Sequence, residues 1–141
     1  MPHTWSDFSI KEYAKYLGFV VGLERKELSW VTPLDKFMAR ARTWRAIGGG
    51  LFLTILAYRT YIFPVITFLL QLDRLPDDWD KYERKVCNIL FPGPRGWATS
   101  GAMRNLKSLG LQTELPNAVT TADAAKCRVH RDWRTSTLVA H

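Results

Sequence analysis

The chain has 141 residues, 47% of them hydrophobic and 13% aromatic, with a formal net charge of +7 and a pI of about 9.7. This composition excludes general disorder, and the length favours one domain that can bury a core. The basic balance favours nucleic acid or an anionic membrane surface as a partner. Cys87 and Cys127 have no metal-ligand spacing to the histidines, so we expect no metal site, no cofactor and reduced thiols, as in an intracellular protein.

The first segment of the chain predicts a loose lead-in followed by a short β-hairpin. Residues 1–12 form the lead-in. Aromatic and β-branched residues from Tyr16 to Val21 favour a strand, and Gly22 marks the turn that follows. Residues 28–31 are the predicted return strand.

A basic amphipathic helix is predicted over residues 33–46, with Thr32 as N-cap and Pro33 at its first position. Its outer side is either a solvated face or a surface that contacts phosphates. Apolar residues recur at three- and four-residue spacing and share one face: Leu34, Phe37, Met38, Ala41 and Trp44. The basic residues of the helix are Lys36, Arg40, Arg42 and Arg45.

The most apolar run of the chain follows the glycines at 48–50, which end the basic helix, and extends to Leu72. It predicts a long, largely buried helix that Pro64 kinks or divides. The run is also long enough to cross a bilayer. Burying Arg59 near the bilayer centre costs about 2.5–3.5 kcal/mol, whereas each of twelve Leu, Ile, Phe or Val residues returns about 0.3–0.6 kcal/mol. Hydropathy alone therefore leaves both interpretations open.

Two more helices and a polar tail are predicted after this run. Asp77 or Asp78 caps a helix that ends before Pro92, with Trp79, Tyr82, Val86, Ile89 and Leu90 in helical register. A short helix runs from Thr99 or Ser100 to Ser108, with Met103 and Leu106 facing inward, and Gly110 caps it. Hydrophobic periodicity fades from Thr120 onward, so residues 120–141 are predicted to be a disordered basic tail.

No set of residues in the sequence predicts an active site. The adjacent carboxylates Asp77 and Asp78 precede a helical pattern, and capping explains them better than metal binding does. The three consecutive glycines lack the Lys-Ser/Thr pair of a phosphate-binding loop. The serines have no nucleophile motif, so no histidine lies near a plausible nucleophile. We therefore predict no catalytic residue.

An ordered set of motifs nevertheless resembles a known family. The set begins with Tyr16-Leu17-Gly18 and the basic helix that ends in Trp44. It continues with an apolar helix that contains Ala57-Tyr58-Arg59 and Pro64, then Tyr82-Glu83-Arg84-Lys85, and closes with Leu109-Gly110-Leu111. This order resembles the region after the catalytic palm in reverse transcriptases of non-LTR (LINE-type) retrotransposons. The resemblance covers about residues 13–117.

The resemblance implies a mainly α fold: a small helical thumb-like bundle over residues 13–119 with an N-terminal β-hairpin and a disordered tail. It implies part of an RNA-directed DNA polymerase without the polymerase carboxylates, which would precede Tyr16, so the chain alone is expected to be inactive. The implied partners are a nucleic-acid duplex and a missing palm domain, and the implied location is the nucleus. Lys36, Arg40, Arg42 and Arg45 would contact the duplex backbone. Arg59 is a poorer candidate because burial is expected there.

Two alternatives to this function remain open. The chain is a small membrane protein whose single span covers about residues 49–72, or it is a generic helical interaction subunit. In the membrane alternative, the basic residues Arg40, Arg42 and Arg45 would place the N-terminal side of the span in the cytoplasm.

Overall fold

The computed structural model describes the backbone of residues 13–16, 19–22, 25–94 and 97–138, and side chains within 28–94 and 97–128. The predicted lead-in, residues 1–12, lies outside the described residues. The fold is mainly α, as predicted. Two short strands, β1 (Tyr13–Tyr16) and β2 (Phe19–Gly22), pair in antiparallel register. The helices in chain order are α1 (Arg25–Ile47), α2 (Gly50–Ala57), a π-helical turn (Tyr58–Ile62), α3 (Pro64–Leu72), α4 (Trp79–Leu90), α5 (Ser100–Arg104), a 3₁₀ turn (Leu106–Leu109) and α6 (Ala118–Leu138).

The predicted hairpin is wrong in both strands. The predicted first strand, Tyr16 to Val21, contains the end of β1 and most of β2, and residues 28–31 belong to α1. The predicted start of this helix at Thr32 and Pro33 is wrong for the same reason. Trp30 stands four residues before Leu34, so the buried stripe of α1 begins one turn ahead of Pro33. Pro33 cannot donate a backbone hydrogen bond, which destabilises the helix. Burial of Trp30 and Leu34 on both sides of the proline offsets this free-energy cost, and the helix continues through it.

Phe37 lies at the centre of the core and joins three helical segments. Its side chain is fully buried. Its ring lies 6.0 Å from the ring of Tyr58 on the π-helical turn and 5.6 Å from the ring of Trp79 on α4. The Tyr58 ring stacks in turn on Phe63 at 5.8 Å. These ring contacts stabilise the core beyond the effect of buried apolar area, and they connect α1 to the π-helical turn and to α4.

The apolar run is divided, as predicted for Pro64. The N–H of Phe63 donates to the carbonyl of Tyr58 at 2.7 Å, which is the five-residue bond of a π turn. The helices on the two sides of this break, Gly50–Ile62 and Pro64–Leu72, are bent by 47°. Pro64 begins α3, where its missing N–H costs nothing.

The apolar run is buried on one face only, so the prediction of a largely buried helix is right for that face and wrong for the exposed side. Ile55, Ile62, Ile66 and Leu70 have almost no exposed surface. The opposite side of α2 exposes four large apolar side chains, which we call the α2 apolar face. This face consists of Leu51, Phe52, Leu53 and Leu56.

The segment after α4 begins and ends where the sequence predicts, but the single predicted helix is divided into α5 and the 3₁₀ turn. The hydroxyl of Thr99 accepts the N–H of Ala102 at 3.1 Å and caps α5. Gly110 ends the 3₁₀ turn with a φ of 85°, a left-handed conformation that favours glycine. Met103 and Leu106 are buried, as predicted.

The predicted disorder is wrong for residues 120–138, because α6 extends from Ala118 to Leu138. Residues 139–141 of the predicted tail lie outside the described residues. The side chain of Asn117 accepts the N–H of Val119 at 2.9 Å at the start of this helix. Ala118 and Ala122 are buried, and α6 packs against α3. A stripe of alanines allows close helix packing but gives little hydrophobic signal in the sequence, which explains the wrong prediction.

Candidate nucleic-acid interface

The four basic residues predicted to contact phosphates all lie on α1, but they form two groups. At about 100° per residue, Lys36 and Arg40 lie about 40° apart, whereas Arg42 and Arg45 lie about 60° apart on the other side of the buried stripe. Lys36, Arg42 and Arg45 are exposed, and Arg40 is half-buried. The helix therefore presents cations on both flanks of its core stripe.

Arg40 is held by the fold, contrary to its predicted place on the open side of the helix. Its Nη1 donates to the carbonyl of Tyr61 at 2.5 Å, and its guanidinium lies 4.6 Å from the centre of the Tyr61 ring. Both contacts tie α1 to the π-helical turn, where the backbone leaves its ordinary helical pairing. Arg40 is thus first a structural residue.

The remaining cations are available to an external anion. Arg59 is exposed, so the expectation that it would be buried is wrong. Among the described residues, no carboxylate lies within ion-pair distance of Lys36, Arg42, Arg45 or Arg59. Unpaired surface cations keep their full attraction for phosphate, because no internal carboxylate competes.

Arg45 stands at the rim of a cleft of about 330 Å³ between the α1–α2 junction and the segment after α4. The indole N–H of Trp44 donates to the hydroxyl of Thr54 at 3.3 Å. The indole N–H of Trp97 donates to the carbonyl of Phe91 at 3.1 Å. The lining residues are Trp44, Arg45, Gly48, Gly49, Gly50, Leu51, Thr54, Leu90, Phe91, Pro92 and Trp97.

The adjacent aspartates contribute less to helix capping than predicted. Asp78 occupies the N-cap position of α4, as expected, but its side chain makes no capping hydrogen bond. Asp77 and Asp78 are both exposed. The described residues contain no group of three His, Cys, Asp or Glu side chains placed to hold one metal ion.

A buried polar cluster behind the π-helical turn was not predicted. Glu83 is 2% exposed and forms an ion pair with Arg104, which joins α4 to α5. Burial raises the pKa of Tyr58 well above its usual value, and the nearby Glu83 raises it further. Burial, again with Glu83, raises the pKa of the Cys87 thiol to about 12. A thiol with this pKa stays protonated at neutral pH and is a poor nucleophile.

The spacing of the buried residues along α4 includes Glu83, so the sequence contained a signal for its burial. Residues 79, 83, 86, 87 and 90 form its buried stripe, so Glu83 is in register with Trp79 and Leu90. The predicted stripe used Tyr82 and Ile89 instead, and both are half-buried. Glu83 was left out of the predicted stripe, although its register favoured burial.

The helices of the apolar run bear on the membrane alternative. In the described part of the chain, no one helix combines the length and apolar character that a span requires. The bent pair Gly50–Ile62 and Pro64–Leu72 meets the length and composition criteria when taken together.

Comparisons with known proteins identify no family for the chain. No family model matches it, and no curated protein or solved structure shows significant similarity to it. The resemblance to retrotransposon reverse transcriptases therefore stays a prediction.

Proposed function

We propose that this chain is a non-catalytic helical module that binds nucleic acid through the phosphate backbone, in the manner expected of a polymerase thumb. The carrying observation is the set of exposed cations on the two flanks of α1, which have no carboxylate partner among the described residues. Lys36, Arg42 and Arg45 are the proposed contacts, and Arg40 supports them by holding α1 against the π-helical turn. Backbone contacts position a duplex without selecting its sequence, so the proposed partner is an RNA–DNA or DNA duplex.

The proposal includes the wider implications of the family resemblance. The chain would be the thumb and connector part of a retroelement RNA-directed DNA polymerase, acting with a palm domain that carries the carboxylates. Such a polymerase would work in the nucleus. The α2 apolar face supports this part of the proposal, because an exposed apolar face on a small domain favours a covering partner.

The test is the salt dependence of duplex affinity for the full chain. Each phosphate contact contributes about 0.9 to the slope of log affinity against log salt on duplex DNA. Lys36→Ala with Arg42→Ala should lower affinity on all sequences equally and reduce the slope by about two. Lys81→Ala with Arg84→Ala removes the same charge from exposed positions on α4 and is the matched control.

Two results would overturn this proposal. One is a duplex affinity in the wild type that does not change with salt. The other is an equal loss of affinity in the α1 pair and in the α4 control pair, which would show that net charge alone, and not the surface of α1, carries the binding.

A membrane-bound form is the second candidate, and the bent apolar pair together with the α2 apolar face favours it. The test is partition of the full chain between detergent micelles and the aqueous phase. Phe52→Ser with Leu56→Ser should reduce partition strongly if α2 enters the apolar phase. Unchanged partition in this variant, or no partition in the wild type, would reject the membrane candidate.

A further inference from the structure

The cleft beside Arg45 combines three properties that a nucleotide requires. Its volume of about 330 Å³ lies at the small end of the range of ligand pockets, roughly 300–1,000 Å³. Among the described residues that line the cleft, Arg45 carries the only charge, so these residues favour an anion. Trp97 is 45% exposed, so part of an aromatic ring faces outward.

The Trp97 ring is held in place by its surroundings. Its N–H is already used by the carbonyl of Phe91, so the exposed part of the ring offers an apolar surface and no free donor. A Cβ on Gly93 would lie 2.3 Å from the indole nitrogen, which shows how closely the ring rests on that glycine. A ring fixed in this way loses little entropy when a second aromatic group stacks on it.

The rim of the cleft is open at the triple glycine. Gly48 and Gly50 have φ values of 71° and 70°, and a Cβ at either position would meet no atom within 4 Å. Both positions favour glycine for their backbone conformation, and the missing side chains leave the approach to Arg45 and Trp97 clear.

We propose that this cleft binds an unpaired nucleobase, with the base stacked on Trp97 and its phosphate on Arg45. The inference rests on the proposed function and extends it: the flanks of α1 contact duplex phosphates, and the cleft takes a single-stranded end or overhang. Stacking is tolerant of sequence because every base has an aromatic face. The ligand class is therefore single-stranded nucleic acid of any sequence.

The experiment compares the binding of a labelled oligothymidylate and of a blunt duplex to the full chain at one salt concentration. Trp97→Leu should weaken oligothymidylate binding roughly five- to one-hundred-fold and leave duplex binding unchanged. Trp97→Phe keeps an aromatic face and should retain most of the affinity. Arg45→Ala should weaken the oligothymidylate more than Arg42→Ala, which removes an equal charge from α1 outside the cleft.

A second variant separates stacking from loss of the fold. Gly93→Ala retains Trp97 but displaces its ring, so oligothymidylate affinity should fall while the duplex still binds. Unchanged oligothymidylate affinity in Trp97→Leu, or an equal loss for both probes in Trp97→Leu and Gly93→Ala, would overturn the inference. Duplex binding that ignores salt would instead overturn the proposed function, and a loss confined to the oligothymidylate in Trp97→Leu would still support the cleft.

Discussion

Two long helical segments of this protein each contain a proline, and they respond to it differently. Helix α1 continues through Pro33, whereas the apolar run breaks before Pro64 and bends by 47°. In α1, buried side chains on both sides of the proline pack on the same core. In the apolar run, a π turn shifts the helical register and Pro64 begins a new helix. At this first position no intrahelical hydrogen bond needs the backbone N–H that proline lacks. The difference shows that tertiary contacts decide whether a proline ends a helix.

The largest effect is expected on removing the side chain of α1 that packs against the apolar run. Phe37→Ala deletes a fully buried ring that contacts Tyr58 and Trp79, and it should lower the free energy of unfolding by about 3–5 kcal/mol. Urea denaturation followed by circular dichroism measures the change. Val31→Ala on the same helix is the control, because Val31 is 55% exposed and its loss should cost less than about 0.5 kcal/mol. Similar losses in both variants would show that Phe37 is not the centre of the core.

The two prolines themselves give the direct test. An interior helical proline costs about 3 kcal/mol relative to alanine, of which about 0.4–1 kcal/mol is recovered through the stiffer unfolded chain. Pro33→Ala should therefore raise the free energy of unfolding by about 2–2.6 kcal/mol. Pro64→Ala should lower it by about 0.4–1 kcal/mol, because Pro64 has no helical cost at the first position of α3 and the variant only loses the stiffening of the unfolded chain. Equal gains in the two variants would contradict the distinction between the sites.

A smaller effect is expected at the tie between the two segments. Arg40→Ala removes the hydrogen bond to the Tyr61 carbonyl and the contact with its ring, and it should cost about 1 kcal/mol of stability. Lys36→Ala, one turn earlier on the same flank, removes a charge without such a contact and is the control. Thermal denaturation measures both. If the two variants have the same melting temperature, Arg40 does not hold α1 against the π-helical turn.

The smallest effect on stability at neutral pH is expected from the ionisation of two buried groups, Cys87 and Tyr58. The pKa of Cys87 is raised by burial from 9.0 to about 12 in the folded state, and that of Tyr58 is raised well above 10.0. Their contribution to stability is complete below the unfolded pKa values and is lost as pH rises above about 9, because the unfolded state releases these protons first.

Unfolding measured between neutral pH and about pH 11 should show this loss, and Cys87→Ala should make it smaller. Thiol alkylation adds an independent readout. The exposed Cys127 should react with iodoacetamide in the native protein, whereas the buried Cys87 should react only after denaturation. Rapid alkylation of both thiols in the native state would contradict the burial of Cys87.

Where local chemistry is sufficient, the sequence predicted the structure closely. Helix α4 ends before Pro92, Thr99 caps α5, and Gly110 ends the following turn. Each of these boundaries depends on a residue within one turn of it. The division of the apolar run at Pro64 belongs to the same class.

The candidate site was predicted in composition but not in arrangement. The sequence identified the basic residues of α1, yet only the structure shows that Arg40 is bound to Tyr61 and that Arg59 is exposed. Neither fact is readable from helical period alone, since both depend on the π turn. The cleft was also not predicted, because its two walls come from segments about fifty residues apart in the sequence: Arg45 and Trp97.

By itself, the sequence determined that this protein is mainly helical, that α1 is amphipathic and basic, and that the long apolar run is interrupted. Periodicity and proline act within a few residues, so these features needed no tertiary information. Only the tertiary structure decided that α1 includes residues 28–31, that Glu83 is buried and that α6 is a packed helix. Burial against distant elements stabilises each of them, and the local sequence does not encode what those elements provide.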